Sequence, residues 1–250
     1  MKKLLLAGVA SAAMCAVPGV AQAQFVGTGF YAGVQAGYGF GRDRNTFGTV
    51  IDDGFPDFAV EAGPYHHNTD GVILGGQVGF NWEVLPSWVL GIEGEGWWSD
   101  VKGAHTVPED NLPAGDPGTL TRFRSQNRGD GAISGRLGFI LADSLIYGKV
   151  GIDWGAYRYV EQHDDFPTTN SCNPFCTVKF SKTRAGLLLG AGWEFQFSPD
   201  WTSKFEYDYI NFGPQRVPYP SISNDPALQS FVVHDNESIV KVGFNYQVPY

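Results

Sequence analysis

Beyond its first 23 residues, the sequence lacks any apolar run long enough for a membrane-spanning helix. Such a helix needs about 20 mostly apolar residues, and glycines or charged residues interrupt every later apolar stretch well before that length. Basic residues are also scarce, since 17 lysines and arginines face 26 acidic residues and the net charge is −9. This balance excludes non-specific nucleic-acid binding, which needs a basic surface, so we expect no nucleic-acid partner.

The first 23 residues have the pattern of a secretory signal peptide. Lys2 and Lys3 precede an uncharged apolar stretch that ends at Val20. Ala21-Gln22-Ala23 then supplies small residues at the −3 and −1 positions of a cleavage site. We expect cleavage before Gln24 and an exported mature chain. A retained N-terminal anchor helix is the alternative interpretation.

Cysteine is rare, with 3 residues in 250. Cys15 lies within the predicted signal peptide, where lipoprotein processing is an alternative to simple removal. Cys172 and Cys176 lie close together, and nearby cysteines in an exported protein favour a disulfide. A metal site there needs two further ligands, and His163 is the only other candidate nearby. We therefore predict a Cys172–Cys176 disulfide and neither a metal nor another cofactor.

Thiol chemistry tests this disulfide. Labelling of the intact, unreduced protein should find neither Cys172 nor Cys176 free, and quantitative labelling without reductant would contradict the prediction. Replacing both residues with serine should leave the melting of the protein nearly unchanged, because the bridge closes a very short loop.

After residue 23 the chain alternates apolar and polar residues with the two-residue period of β-strands. The even positions of the first segment read Phe30, Ala32, Val34, Ala36, Tyr38 and Phe40. The alternation returns at residues 72–84, 88–99, 131–141, 145–159, 180–197, 201–212 and 238–250. The pattern thus predicts eight strands, most of them long enough to cross a bilayer at a tilt, which takes about 9–11 residues.

The connections between these segments alternate in length. Short links are expected at 85–87, 142–144 and 198–200, and long links at about 42–70, 101–128, 162–179 and 214–236. Short turns at one end and long loops at the other are typical of an outer-membrane β-barrel. A soluble sandwich or lipocalin-like barrel is the alternative. It would place its apolar face inward, whereas here the polar, glycine-rich face better fits a narrow lumen and the apolar face better fits lipid.

Aromatic residues cluster where the predicted strands end, which is typical of two interfacial girdles. The set is Trp82, Trp88, Trp97, Trp98, Trp154, Trp193, Trp201, Tyr207 and Tyr209.

Several stretches together carry a family resemblance. They are FYAGVQAGYGFG (30–41), VILGGQVGFNWE (72–83) with VLGIEGEGWWSD (89–100), RLGFILADSLIYGKVGIDWGAY (136–157), and GLLLGAGWEFQFSPDWTSKFEYDYINFG (186–213) with VKVGFNYQV (240–248). With them the chain resembles the small outer-membrane β-barrel family of alphaproteobacteria, porin-like surface antigens related to the opacity-protein and OmpA-type barrels. One departure is Pro249, which precedes the final aromatic residue Tyr250.

The resemblance implies an all-β fold, an eight-stranded antiparallel transmembrane β-barrel over residues 24–250 with short periplasmic turns and four long extracellular loops. It implies location in the cell outer membrane and no catalytic residues. The expected partners are outer-membrane lipid, the outer-membrane insertion machinery acting on the C-terminal strand, and an extracellular ligand that the sequence does not identify.

Candidate chemical groups are few and lie in the predicted long loops. All five histidines, His66, His67, His105, His163 and His234, are predicted there rather than on strands. The segment from His234 to Ser238 is the only local His/Ser cluster of the kind that an outer-membrane acylase would need, and we expect it to be a solvated loop end. The carboxylates Asp52, Asp53, Asp57 and Glu61 lack a calcium-loop spacing.

Charged residues on the polar faces of the strands are expected to meet inside the barrel. The acids are Glu83, Glu93, Glu95, Asp153, Glu194, Glu206 and Asp208, and the bases are Arg136, Lys149, Lys182, Arg184, Lys204 and Lys241. An eight-stranded lumen is only wide enough for side chains, and unpaired buried charge is costly. We therefore predict a charge network in which Arg136, Lys149, Arg184 and Lys204 pair with Glu93, Glu95, Glu194 and Glu206.

These observations favour a structural, surface-exposed outer-membrane protein that contributes to envelope integrity and to adhesion or host contact. A narrow porin-like channel for ions or small solutes is the second hypothesis. A lipid-modifying enzyme is the third, and no site residue in the sequence supports it.

Overall fold

The computed structural model describes residue 25 and residues 27–47, 65–108, 120–164, 177–218 and 230–248. All regular elements in these ranges are β-strands. They are β1 (Gly29–Phe47), β2 (Tyr65–Leu85), β3 (Trp88–Ser99), β4 (Lys102–Pro108), β5 (Leu120–Leu141), β6 (Ser144–Asp164), β7 (Thr177–Ser198), β8 (Trp201–Pro218) and β9 (Ser230–Gln247). No helix in the described ranges has the length and apolar character needed to cross a membrane.

The strands close into a ring of antiparallel neighbours. The closing seam joins β1 to β9, from Tyr31 opposite Gln247 to Phe47 opposite Phe231. β3 and β4 share one place in the ring, because both pair with β2 and with β5 and only two residues separate them. The ring therefore has eight positions, which confirms the predicted barrel. Closure satisfies every backbone edge within the hydrocarbon.

Three two-residue turns join the strands at one end of the barrel. They lie at 86–87, 142–143 and 199–200, inside the predicted short links. Ser87 and Ala142 have positive φ angles of 67° and 55°. Tight hairpins need such left-handed residues to match the strand twist, at a cost of roughly 1–2 kcal/mol each for a residue other than glycine.

Alternate side chains point to opposite faces of the sheet. Apolar residues such as Phe30, Val34 and Leu187 face outward, with 57%, 64% and 52% of their surface exposed, and they form the surface that meets lipid. One residue that the sequence assigned to the aromatic girdles does not lie on this lipid-facing surface. Trp97 is buried inside the barrel, because it lies in phase with the lumen-facing Glu93 and Glu95 of β3.

The lumen is filled in layers. An apolar cluster of Phe25, Val89, Leu145 and Tyr147 lies near the short turns. A second apolar cluster contains Ile73, Trp97, Val101, Ala132, Tyr157, Tyr159, Leu188, Ile210, Phe212 and Ile239. Polar and charged side chains lie between the two clusters along the strands. The core of this protein therefore contains a polar layer that lies between two apolar clusters.

The strands continue further than the sequence predicted. Within the predicted long links at about 42–70, 101–128, 162–179 and 214–236, strand extends over residues 42–47, 65–70, 102–108, 120–128, 162–164, 177–179, 214–218 and 230–236. The prediction failed there because the outer face of the sheet meets water beyond the hydrocarbon and the buried inner face is polar, so the apolar alternation disappears while backbone pairing persists.

The placement of the histidines in loops was wrong for the same reason. His66 and His67 lie on β2, His105 on β4, His163 on β6 and His234 on β9. The cysteine pair, the predicted signal peptide and the carboxylates from Asp52 to Glu61 lie outside the described residues.

Candidate functional site

A buried ion-pair network crosses the middle of the lumen. Its centre is a group of carboxylates, Glu93, Glu95, Glu206 and Asp208, contributed by β3 and β8. Lys241 Nζ on β9 lies 2.6 Å from Glu95 Oε2, 2.7 Å from Glu206 Oε1 and 2.5 Å from Asp208 Oδ2. All of these groups are essentially inaccessible to solvent, so their attraction is only weakly screened.

Two further lysines complete this centre. Lys149 Nζ on β6 donates to Glu95, lies 2.8 Å from Glu206 Oε1 and lies 3.2 Å from Asp208 Oδ2. Lys204 Nζ lies 3.5 Å from Glu206 Oε2 and 3.6 Å from Glu93 Oε2. Three cations thus share four carboxylates, and each cation touches more than one strand across the lumen.

Arg136 extends the network toward the short turns. Its Nη1 lies 3.3 Å from Glu194 Oε2 and 3.7 Å from Glu93 Oε2. The guanidinium is 4.6 Å from the ring centroid of Tyr31 and 5.0 Å from that of Tyr147, a cation–π arrangement that also excludes water. The two tyrosines hold the neighbouring carboxylates, with hydrogen bonds of 2.7 Å from the Tyr31 hydroxyl to Glu93 and 2.5 Å from the Tyr147 hydroxyl to Glu206.

A separate polar group lies toward the long connections. Arg184 on β7 contacts Asp235 on β9, and the Tyr159 hydroxyl donates to the same carboxylate at 3.0 Å. Nearby, the Asn127 side chain donates to Asp130 at 2.7 Å and to Glu237 at 3.1 Å. This group is also buried.

The structure brings together seven of the eight residues that the sequence proposed as a network, and it places Arg184 elsewhere. The seven are Arg136, Lys149, Lys204, Glu93, Glu95, Glu194 and Glu206. Arg184 was expected to pair with one of the glutamates and instead contacts Asp235, because it lies nearer to the long connections. Two charged residues that the sequence assigned to the lumen are not fully buried. Glu83 is exposed beside a turn, where it accepts a hydrogen bond from the Ser87 amide, and Lys182 is half-buried.

Sequence reasoning missed Asp130, Asp235 and Glu237. The last two were assigned to a solvated loop end, but they are 2% and 4% exposed. Their positions in the sequence could have identified Asp235 and Glu237 as lumen residues, because both are odd-numbered like the lumen-facing Lys241 of β9. Among the described residues, the buried charged groups are nine carboxylates and five cations. The sequence assigned seven acids and six bases to the lumen, and the structure shows a more acidic interior than that count implies.

The central carboxylates are close enough to suggest a metal site. Oxygen atoms of Glu93, Glu95 and Glu206 lie within 4.8 Å of one another. Lysine ammonium groups already contact each of these glutamates, so a metal ion would have to displace buried cations. The arrangement fits an internal ion-pair network better than a metal centre.

A histidine and a serine do meet inside the barrel, although not where the sequence placed them. His67 Nε2 lies 2.8 Å from Ser125 Oγ, and both side chains are buried. The cavity that Ser125 lines has a volume of only about 10 Å³, which is room for about one water molecule.

The geometry agrees with a comparison of the sequence with protein families. Residues 7–247 match the model of the outer membrane protein β-barrel domain. The chain belongs to this family. Membership places the protein in the outer membrane and confirms the family that the sequence motifs resemble.

Two relatives of known sequence are named as immunogenic outer-membrane proteins. The chain is 29% identical over 225 residues to the 31 kDa outer-membrane immunogenic proteins of Brucella melitensis and Brucella suis, an overlap that covers 89% of this chain and 84% of each relative. The overlap therefore spans most of this chain and most of each relative.

Two solved structures of outer-membrane proteins match most of this chain at low identity. The outer membrane protein OprG from Pseudomonas aeruginosa matches 91% of this chain and 99% of its own, with 10% identity and a TM-score of 0.47. The attachment invasion locus protein Ail of Yersinia pestis, in complex with the heparin analogue sucrose octasulfate, matches 87% of this chain and 99% of its own, with 15% identity and a TM-score of 0.35.

Proposed function

We propose that this outer-membrane protein is a structural, surface-exposed barrel whose lumen does not conduct. The observation that carries the proposal is the lumen itself, in which buried ion pairs lie between two apolar clusters. Solutes could pass only by breaking several buried ion pairs at once, and each exposed partner would then be an uncompensated charge. The barrel contributes to envelope integrity as a rigid, closed element.

In the same proposal, the long connections between the strands make the contacts with molecules outside the cell. They lie at the end of the barrel that faces the exterior in proteins of this architecture. The Brucella relatives are named as immunogenic outer-membrane proteins, which supports surface exposure. Adhesion or host contact, through an extracellular ligand, is the function we assign to this end, and we propose no catalytic activity.

Planar-bilayer recording tests the closed lumen. The purified, refolded protein should insert without producing steady single-channel steps, because no continuous water path is expected through the ion-pair layer. Flotation of the same preparation with liposomes would establish that the silent protein is inserted, and a heat-denatured sample supplies the background. Steady, large steps from the wild-type protein would replace this proposal with a narrow porin-like channel.

A further inference from the structure

Exposed positive charge is concentrated on one side of this acidic protein. Seven cationic side chains that the structure describes face outward, and six of them lie on β4 to β7. These six, called the basic patch here, are Lys102, Arg122, Arg124, Arg128, Arg158 and Lys179. The seventh, Arg42, lies on β1 on another side of the barrel. Within the described part of the patch, Lys102 alone has an ion-pair partner, Asp100 at 2.9 Å.

Strand register brings the patch residues close together. Gln126 has Lys102 opposite it on β4 and Arg158 opposite it on β6, so the two cations stand about 10 Å apart at the usual strand spacing. In the next row along the strands toward the long connections, Val160 is flanked in the same way by Arg124 and Lys179. The patch therefore presents a two-dimensional array of ammonium and guanidinium groups, the chemistry that binds phosphate.

A groove lies below the patch on the same outer face. Its floor is a transverse row of Gly76, Gly96 and Gly131, which lie opposite one another on β2, β3 and β5. Val34 and Trp154 end the row on β1 and β6. The groove has a volume of about 660 Å³, and because its floor lacks side chains it is open to the lipid-facing surface.

The groove and the patch are continuous along the strands. Trp154 lines the groove, and Arg158 follows it four residues later on β6, about 13 Å further toward the long connections. An amphiphile lying along this face would thus contact the apolar and glycine surface with its end nearer the middle of the membrane, and the cations with its end nearer the long connections. This order matches a membrane lipid with its headgroup toward the exterior.

We propose that this face binds one phosphorylated glycolipid of the outer leaflet. Its phosphates contact the basic patch, and one acyl chain lies in the glycine groove. A soluble polyanion would account for the cations but not for an apolar groove within the lipid-facing belt. The proposal goes beyond the structural role of the barrel and does not depend on whether the lumen conducts.

Charge removal tests the headgroup half of the site. The refolded full barrel in detergent is titrated with diphosphoryl lipid A and with its dephosphorylated form, and bound lipid is counted by native mass spectrometry. Replacing Arg124, Arg158 and Lys179 together with glutamine should weaken diphosphoryl lipid A binding by about a hundredfold, since each cation near an anionic surface contributes about 1 kcal/mol. Among single variants, Arg158→Gln should weaken binding and Arg42→Gln should not.

Groove filling tests the acyl half. A Cβ atom added at Gly96 or Gly131 would approach no other atom closer than 3.9 or 3.7 Å, so leucine fits without moving the backbone. Gly96→Leu and Gly131→Leu should weaken lipid A binding on the order of fivefold, because only packing contacts are lost. Binding of sucrose octasulfate, a soluble polyanion without acyl chains, should not change. Gly148→Leu is the matched control, because it faces lipid outside the groove and its Cβ would be 3.8 Å from its nearest neighbour.

Three results would overturn the proposal. The first is equal binding of the phosphorylated and dephosphorylated lipids by the wild-type protein. The second is unchanged lipid binding in the triple glutamine variant. The third is sucrose octasulfate binding at least as tight as lipid A binding, with no effect of groove filling, which would assign the patch to a soluble polyanion. Heat-modifiable migration on gels verifies that every variant is folded.

Discussion

Deletion of Phe244–Tyr250 should prevent the chain from inserting into the outer membrane. The deleted part of β9 pairs on one side with β1, from Val34 to Tyr31, and on the other with β8 near Trp201. Its loss leaves the ends of β1 and β8 near the short turns without their partner, although the rest of β9 still pairs with both strands. Each unsatisfied backbone group costs several kcal/mol in hydrocarbon. We expect the truncated chain to be recovered from the periplasm, without a heat-modifiable band.

A deletion of equal length elsewhere supplies the control. Removing seven residues, 221–227, from the connection between β8 and β9 leaves every described strand pair intact, and this variant should insert. Normal insertion of the chain that lacks Phe244–Tyr250 would refute both the closing role of the seam and our proposal that the insertion machinery acts on the C-terminal strand.

Arg136→Ala should strongly destabilise the folded barrel. The substitution leaves Glu93 and Glu194 buried without their guanidinium partner and removes the cation between the rings of Tyr31 and Tyr147. Breaking a buried ion pair in this way costs roughly 3–5 kcal/mol. In a barrel of this size we expect the heat-modifiable band shift to occur roughly 10 °C lower.

Two variants separate charge burial from simple loss of side-chain volume. Leu187→Ala removes a lipid-facing side chain that is 52% exposed, and lipid or detergent fills the space, so little change is expected. Arg42→Ala removes an exposed cation on β1 and should also have little effect. A band-shift temperature for Arg136→Ala equal to those of the two controls would show that the network does not stabilise the barrel.

The membrane-spanning part of the fold could be predicted because the hydrocarbon imposes a strict pattern. Residues such as Leu187 and Arg184 must face opposite environments, and the sequence records that difference with a period of two. Beyond the hydrocarbon the constraint ends. The start of β5 carries Arg122 and Arg124 on the water-facing outer side, with polar Ser125 and Asn127 inward, so nothing in its hydropathy distinguishes strand from loop.

The partners inside the lumen were only partly predictable. Sequence alternation tells which residues face inward, but not how high along the barrel each one lies, because that depends on the stagger between strands. Arg136 and Glu194 lie at the same level and meet, whereas Arg184 lies at the level of Asp235. A residue such as Asp235 also had to be recognised as strand before it could count as a lumen residue.

The seam between β1 and β9 has a consequence for chain connectivity. It brings Tyr31 opposite Gln247, so the two ends of the described barrel lie side by side on the short-turn side. A short linker could join them, and new termini could be opened at the exposed turn of Pro86 and Ser87. Circular permutation is tolerated at such sites. The ring of strand pairs would be unchanged, although a different pair of strands would close the barrel last during refolding.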